Sequence, residues 1–345
     1  MNNTSLLTQR NRRLPKHLKT LSLLLLAVVI LWWFGKGVDW TEVRASIRHA
    51  DIKYLVAATL VISSTYLLRT YRWRALLKPL AKANLKDLFI ANVVGFSAFF
   101  VLGRAGEVVR PALLPLRDRR VSPTASFVTI FVERICDFVA IVLLFSVNLL
   151  WFQPNSTSEL NFSYVREIGL VLLIGTLSGL AILFWFARKA KFIIRRLDTR
   201  VKAWSSGPKR LGVILIGMLE QIASALQVLS YPSELVVTVF WTGFLWLAIV
   251  IGNLLVIRAF GVPFGFRETI FVLGWALVGS LVPTPGGAAG AFHAAAAAGL
   301  IFLGVTRELG ASIAIVVHLI DFVPAVFFAL YFLVRGDVTI APARD

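Results

Sequence analysis

The sequence is poor in cysteine and in charge. Cys136 is the only cysteine among 345 residues, which excludes a disulfide scaffold and a cysteine-rich metal site. Charged residues make up 16% of the chain, whereas soluble domains carry roughly 25%. Hydrophobic residues reach 58% and the mean hydropathy is +0.78, too apolar for a water-soluble globule. These features exclude a soluble enzyme, a DNA-binding module and a disordered chain, and they predict a polytopic membrane protein.

Apolar stretches divide the chain into membrane spans. Crossing a bilayer takes about 20 helical residues. Stretches of that kind occupy 20–36, 52–72, 122–150, 164–187, 234–257 and 308–334. Two further apolar segments, 86–116 and 266–303, are interrupted by Gly and Pro. The predicted fold is an all-α polytopic membrane protein of one domain over 1–345, with about six full transmembrane helices and two re-entrant broken-helix hairpins.

Lysine and arginine indicate the orientation. They cluster in the N-terminal tail, after the second span and after the fourth, whereas the loop 151–163 has none. The positive-inside rule therefore predicts that both termini are cytoplasmic, in the bacterial inner membrane. Residues 188–232 are predicted to form cytoplasmic interfacial helices; if 211–230 crosses instead, everything after it inverts. Arg69, Arg72 and Arg74 are interpreted as interface anchors or as contacts for lipid phosphates.

The predicted spans form two similar units. The first unit lies in the first half, 20–187, and consists of the span 52–72, the broken segment 86–116 and the span 122–150. The second unit lies in the second half, 234–334, and consists of the span 234–257, the broken segment 266–303 and the span 308–334. The orientation makes the two units inverted, and Gly/Pro-interrupted segments at matching positions of inverted halves mark the substrate site of transporters. New half-helices are expected at about Glu107 and about Gly286, where unpaired N–H groups attract phosphate or carboxylate. The alternative is that Gly and Pro merely kink ordinary helices.

Several ionisable residues lie inside predicted spans, where each needs a partner or a function because its insertion is costly. Those at the first break and in the next span are Arg104, Glu107, Arg110, Glu133, Arg134 and Asp137. Glu107 and Arg110 are three residues apart on one helical face, a spacing that favours a pair between them. In the second half, His318 and Asp321 are three residues apart, as Glu133 and Asp137 are four apart in the first. We predict proton or ion coupling for Glu133, Asp137, His318 and Asp321. The alternative is that these charges form buried ion pairs that tie helices together.

Other kinds of site have little support in the sequence. No metal is expected, because no His, Cys and carboxylate residues have ligand spacing. No catalytic nucleophile is expected, since neither Cys136 nor any serine has a histidine at motif spacing. No cofactor is expected either.

Three ordered motifs resemble those of one family. They are R-x-G-E-x-x-R at 104–110, E-R-x-x-D at 133–137 and P-x-P-G-G at 283–287. Together they resemble the lysylphosphatidylglycerol synthase transmembrane region, also called the flippase-like or YbhN-like family, over roughly residues 20–334. The resemblance implies a membrane protein that flips or handles lipids or lipid-linked sugars.

The chain departs from the family at three points. Gly103 stands where the family commonly has proline, and His293 stands near the place of a family glutamate that follows P-G-G. Nothing in the sequence is long or polar enough to be the cytosolic aminoacyl transferase domain of some members. We therefore do not expect lipid aminoacylation.

The leading functional hypothesis is a lipid translocator that works by alternating access. The predicted substrate-binding residues are Arg104, Gly106, Glu107, Arg110, Arg134, Pro285, Gly286 and Gly287. Arginine suits an anionic headgroup because its planar fork binds phosphate. The expected partners are membrane lipids with an anionic headgroup or a linked sugar, with no nucleic acid, and a homo-oligomer is left open.

Three alternatives to translocation remain open from the sequence. One is a membrane-embedded lipid-modifying transferase with Glu133 or Asp137 as base. Another is a proton-coupled small-solute transporter that uses Asp137 and Asp321. The third is a scaffold for partner enzymes that transports nothing.

Overall fold

The computed structural model describes residues 38–152, 159–202, 212–213, 216–217, 232–282 and 284–338. The regular elements in these ranges are helical. They are α1 (Trp40–His49), α2 (Ile52–Leu77), α3 (Leu85–Leu102), a 3₁₀ helix (Gly103–Val108), α4 (Val109–Arg117), α5 (Pro123–Trp151), α6 (Glu159–Lys202), α7 (Pro232–Ala259), α8 (Phe266–Ser280), the short α9 (Pro285–Ala288), α10 (Ala291–Phe302) and α11 (Arg307–Val334).

Five helices in the described ranges are long and apolar enough to cross a membrane. They cover Ile52–Leu77, Leu85–Leu102, Arg166–Leu183, Ser233–Ala259 and Arg307–Val334. Four of them confirm predicted spans, and the fifth is α3, which was predicted as the first arm of a broken segment. The prediction of an all-α polytopic membrane protein is confirmed. The predicted span 20–36 lies outside the described residues.

Helix α5 corresponds to the predicted span 122–150 but differs in composition from the five apolar helices. It begins after Ser122, whose hydroxyl accepts a hydrogen bond from the backbone N–H of Ala125 at 3.2 Å, and Pro123 occupies the first turn. Its 29 residues are enough to span a bilayer. Glu133, Arg134 and Asp137 interrupt its apolar sequence, so α5 carries charge to the middle of the helix assembly.

The first broken segment is a helical hairpin. Helix α3 ends at Gly103, whose φ of 61° lies in the region that favours glycine. The chain then turns back through the 3₁₀ helix into α4. The two arms approach closely, because a Cβ atom on Gly95 would lie 2.5 Å from Cβ of Arg110. The predicted break is confirmed, although α4 begins at Val109, two residues after the expected start near Glu107.

The second broken segment is also a hairpin. Helices α8 and α10 are its arms, and they touch where a Cβ on Gly279 would lie 2.4 Å from the carbonyl oxygen of Ala291. Gly286 and Gly287 lie between the arms with φ of 72° and 64°, in the left-handed region. The returning helix α10 begins at Ala291, so the expected start near Gly286 is five residues too early. Residue 283 of this break lies outside the described residues.

The corresponding helices of the two halves pair in opposite directions. At one end of the α2–α7 pair, Nζ of Lys78 lies 2.5 Å from Oε1 of Glu234. At the other end, the backbone N–H of Asp51 donates to the carbonyl oxygen of Ala259 at 2.8 Å. Residue numbers therefore rise along α2 as they fall along α7, and the two helices are antiparallel. An inverted repeat requires this direction.

Each hairpin also packs against the helix that follows the other hairpin in its own unit, which is α11 for the first hairpin and α5 for the second. Helix α3 lies antiparallel to α11, with Phe89 against Phe328 near one end and Phe100 against Phe322 near the other. Helix α8 lies antiparallel to α5, where Nδ2 of Asn148 donates to the carbonyl oxygen of Arg267 at 2.9 Å. The same packing of a hairpin against a helix of the other unit therefore occurs twice, as expected for two units related by an approximate twofold axis.

The two hairpin tips meet. Nη2 of Arg104, in the 3₁₀ helix, donates to the carbonyl oxygen of Ser280 at the end of α8, at 3.1 Å. The short α9 packs against α3 and against the 3₁₀ helix. Gly103 and Gly106 of the first break and Gly287 and Ala288 of the second are buried, so protein covers these non-helical residues, which is the condition for placing them at membrane depth.

Helix α6 continues past the predicted boundary between the first half and the interfacial segment. It runs without interruption for 44 residues, Glu159–Lys202. At 1.5 Å per residue it is about 66 Å long, about twice the hydrocarbon thickness of a bilayer. The basic stretch after 187 is therefore the end of the same helix rather than the start of a separate one. Most of the remaining interfacial segment, 203–211 and 218–231, lies outside the described residues.

Outside the spans, Asp118 links the start and the end of the first hairpin. Its carboxylate accepts a hydrogen bond from the backbone N–H of Asn84 at 3.0 Å and pairs with Arg120 at 2.7 Å. The hydrogen bond from the Arg120 side chain lowers the pKa of Asp118 to about 2. Because that pKa is depressed, the carboxylate stabilises the fold above its usual pKa near 3.8, and this contribution is lost as the pH falls toward 2.

We expect Gly106→Ala to destabilise the first hairpin, because the added Cβ would lie 2.3 Å from the backbone carbon and oxygen of Ala98. Overpacking of this kind costs about 1–3 kcal/mol. Thermal unfolding in detergent, followed by tryptophan fluorescence, measures the loss. Gly243→Ala is the matched control, because nothing lies within 4 Å of its added Cβ and alanine favours the helix. Equal melting temperatures for both variants would contradict the close approach at Gly106.

Candidate functional site

A buried ion pair joins the first hairpin to α5. Nη1 and Nη2 of Arg110 donate to Oε1 and Oε2 of Glu133 at 2.6 and 2.8 Å. Glu133 is fully buried and Arg110 is only 4% exposed. The Arg110 guanidinium also lies over the ring of Trp73 on α2, 4.2 Å from its centroid. A two-point pair of this kind fixes the direction of both side chains.

Arg72 is buried in the same cluster. It is 0% exposed, and its guanidinium lies 2.5 Å from Asp137 and 3.1 Å from Glu133. The interpretation of Arg72 as an interface anchor is therefore wrong, because the side chain points into the helix assembly. A guanidinium can be buried there because two carboxylates compensate its charge.

Arg134 is the accessible cation of the cluster. Its Nη2 lies 2.8 Å from Glu133 and 3.2 Å from Asp137, yet 44% of its side chain is exposed. The predicted pairing of Glu107 with Arg110 is not formed; Arg110 pairs with Glu133 instead. With Arg72 and Arg110, three guanidinium groups thus share the two carboxylates of Glu133 and Asp137. The cluster keeps an excess positive charge, and Arg134 presents it.

A cavity of about 80 Å³ opens beside this cluster. Its lining residues are Gly95, Phe96, Phe99, Glu107, Arg110, Ile130 and Arg134. The walls are thus two phenylalanine rings and an isoleucine from α3 and α5, with two arginines and one glutamate as polar groups. We call this space the Arg110/Arg134 cavity.

The predicted substrate residues divide into three groups. Glu107, Arg110 and Arg134 line the Arg110/Arg134 cavity together. Arg104 lies outside its lining, where it contacts Ser280 and comes within 3.7 Å of Glu107. Gly106 is in direct contact with the α3 backbone, so its observed role is close packing.

The remaining predicted substrate residues, Pro285, Gly286 and Gly287, belong to the tip of the second hairpin. The carbonyl oxygen of Gly286 is held by Nε2 of His318 at 2.9 Å. Since a carbonyl only accepts, Nε2 carries the proton and Nδ1 is the free acceptor. The His318 ring also lies edge-on to the His293 ring, with centroids 4.7 Å apart.

The four residues predicted for proton or ion coupling have different surroundings. Glu133 and Asp137 are held by arginines, and His318 supports the second break. Asp321 differs, because in the described ranges its carboxylate forms no ion pair or hydrogen bond; only its backbone oxygen is bound, by the Tyr66 hydroxyl at 2.6 Å. Within the same ranges, no group of three or more His, Cys, Asp or Glu residues could hold a metal ion.

Comparison with known families shows to which family the chain belongs. Residues 20–329 match the family described as the lysylphosphatidylglycerol synthase TM region. The chain belongs to this family. The resemblance noted from the three motifs is thereby confirmed, and the protein is a multi-pass membrane protein of a family connected with lipid handling. A search among curated proteins gives no match.

Sequence reasoning missed Arg72 and Phe96 as parts of the site. The signal for Arg72 was present, because Arg69 and Arg72 are three residues apart on one helical face. The positive-inside rule explained both residues as interface anchors, so their position inside the helix assembly was not predicted. Phe96 carries no such signal, since a phenylalanine in an apolar helix is indistinguishable from its neighbours.

We expect Glu133→Gln to lower the free energy of unfolding by about 3–5 kcal/mol, because removing one partner leaves buried guanidinium charge uncompensated. Chemical denaturation in mixed micelles measures this loss. Glu107→Gln is the matched control, since its side chain is 40% exposed and its contact with Arg104 is long, at 3.7 Å. Replacing both Arg110 and Glu133 by methionine should restore part of the stability. If Glu133→Gln is as stable as Glu107→Gln, the ion pair does not stabilise the hairpin.

Proposed function

We propose that this protein translocates a membrane lipid with an anionic headgroup, a phospholipid or a lipid-linked sugar, across the bacterial inner membrane. The headgroup phosphate binds in the Arg110/Arg134 cavity while the acyl or prenyl chains stay in the bilayer. Both termini are cytoplasmic, in accordance with the distribution of lysine and arginine. The lipid itself is moved without chemical change.

The observation that carries this proposal is the partly exposed Arg134 guanidinium beside apolar walls. Glu133 and Asp137 compensate Arg110 and Arg72, so the excess positive charge of the cluster is available to an anion at Arg134. A phosphate accepts two parallel hydrogen bonds from such a fork. Phe96 and Phe99 supply apolar surface for the part of the lipid next to the phosphate.

The arrangement of the helices supports movement by alternating access. Antiparallel α2 and α7 join two inverted units, and the tips of the two hairpins touch at Arg104 and Ser280. Rocking one unit against the other around such a contact opens a site to either side in turn.

The alternative of a membrane-embedded transferase has less support. A general base needs a free lone pair close to the proton that it removes. Both candidate bases, Glu133 and Asp137, instead accept hydrogen bonds from arginines. These contacts favour binding over acid–base chemistry at this place.

We expect Arg134→Gln to slow lipid translocation about 10-fold or more, because a hydrogen bond to a charged group contributes about 1.5–3 kcal/mol and 1.4 kcal/mol corresponds to a factor of ten. The measurement uses liposomes containing the full chain and fluorescent nitrobenzoxadiazole-phosphatidylglycerol, with dithionite bleaching of the outer leaflet.

Arg74→Gln is the matched control, because Arg74 is an exposed arginine at the end of α2. Melting temperature confirms that each variant is folded. Mass spectrometry of the recovered lipid detects any covalent change. Equal translocation rates for Arg134→Gln and the wild type would contradict the proposed phosphate site. A modified lipid product would favour the transferase.

A further inference from the structure

Arg69 is the one arginine around the cluster for which the described residues offer no ion pair. Its Nε is buried and has no hydrogen-bond partner, and its guanidinium lies 4.6 Å from the centroid of the Phe96 ring. Arg72, Arg110 and Arg134 each contact at least one carboxylate. Because a guanidinium inside a helix assembly is costly without an anion in contact with it, Arg69 has room for an anionic partner beyond the contacts that the described residues make.

Phe96 connects Arg69 to the Arg110/Arg134 cavity. The ring lines the cavity, and the Arg110 guanidinium lies 6.0 Å from the same centroid. One aromatic ring is therefore in reach of an arginine of the cavity and of the unpaired Arg69. A phosphate that leaves the cavity past Phe96 comes next to Arg69.

The second half of the chain contributes a carboxylate to this place. Asp321 of α11 is bound through its backbone oxygen to Tyr66, which lies one turn before Arg69 on α2, and it forms no ion pair with Arg69. Tyr66 fixes their surroundings, because its ring lies edge-on to Phe96, with centroids 5.7 Å apart, and its hydroxyl donates to the backbone oxygen of Asp321. The carboxylate of Asp137 is held by Arg72 and Arg134 and forms no ion pair with Arg69.

We propose that Arg69 is a second binding station for the phosphate of the translocated lipid, which receives the headgroup past Phe96 from the Arg110/Arg134 cavity. Asp321 is the carboxylate that balances Arg69 while the station is empty. This inference rests on the proposed translocation and adds to it the residue that takes the headgroup onward.

Two stations in succession have a physical advantage over one. A single site strong enough to extract a headgroup from water also retains it, whereas several weaker sites let a ligand enter and leave. An occupant at Arg69 also lies between α2 of the first half and α11 of the second. Movement of the two halves relative to each other therefore changes its surroundings, as alternating access requires.

The test compares Arg69→Gln with Arg134→Gln in two measurements. One is the rate of nitrobenzoxadiazole-phosphatidylglycerol translocation in liposomes, and the other is equilibrium binding of dihexanoyl-phosphatidylglycerol in detergent. We expect Arg134→Gln to weaken binding and slow translocation together. Arg69→Gln should leave the dissociation constant within about twofold and slow translocation about 10-fold or more, because one charge-assisted contact is lost after the first binding step.

Asp321→Asn tests the same station independently of Arg69→Gln. Without the competing carboxylate, Arg69 is free to hold the phosphate, so dihexanoyl-phosphatidylglycerol should bind about 3- to 10-fold more tightly and translocation should slow. Arg69→Lys keeps the charge without the fork and should lie between the wild type and Arg69→Gln. Arg74→Gln again serves as the control, with melting temperatures for all variants.

The outcomes separate the two proposals. If Arg69→Gln translocates like the wild type while Arg134→Gln is slow, the second station is wrong and the cavity remains. If Arg69→Gln weakens binding as much as Arg134→Gln does, both arginines belong to one site and the two-station proposal is wrong. Unchanged affinity and rate in Asp321→Asn also contradict the two-station proposal. This result decides the question even if Arg69→Gln does not fold. A wild-type protein that neither binds nor moves the probe lipid overturns both proposals.

Discussion

The buried pair of Arg110 and Glu133 is the interaction on which the site depends. Helix α4 has only nine residues, too few to be stable by itself, and it returns from a break in the chain. Its one buried guanidinium is held on one side by Glu133 of α5 and on the other by the Trp73 ring of α2. The two side chains stay paired in the water-poor interior, because separating them would leave both charges uncompensated. The hairpin tip, the cavity beside it and the direction of Arg134 all follow from this attachment.

The scaffold is nearly symmetric, whereas its chemistry is not. Antiparallel α2 and α7, the exchange of α11 and α5 between the halves, and two touching hairpins repeat one arrangement twice. The arginines and their two carboxylates, however, belong to the first half, and the second half contributes the left-handed turn at Gly286 and Gly287, the histidine pair and Asp321. The symmetric helix arrangement permits two equivalent orientations of the site. The asymmetric set of charges gives a bound anion one preferred position.

Local signals explain which predictions were correct. Long apolar stretches and the Gly- and Pro-rich breaks concern chain segments by themselves, so the helices α2, α3, α7 and α11 and both hairpin breaks could be recognised without knowledge of their neighbours. The structure also brings together Glu107, Arg110 and Arg134, three of the residues predicted to bind substrate. Which charged residues pair with each other could not be predicted from the sequence in the same way. Glu107 and Arg110 are close in sequence and were expected to pair, but Arg110 pairs with Glu133, and Gly106, expected to bind substrate, serves the approach of two backbones.

Composition and hydropathy by themselves determined that this chain is a helical membrane protein, because lipid leaves each span no other way to satisfy its backbone. The three motifs determined its family. Tertiary structure alone decided which charges are neutralised and which remain available, since that depends on distances of a few ångströms between residues far apart in the chain. Arg72 and Arg69 occupy neighbouring turns of one helix and look alike in the sequence. Two carboxylates from α5 reach Arg72, and none in the described part of the chain reaches Arg69.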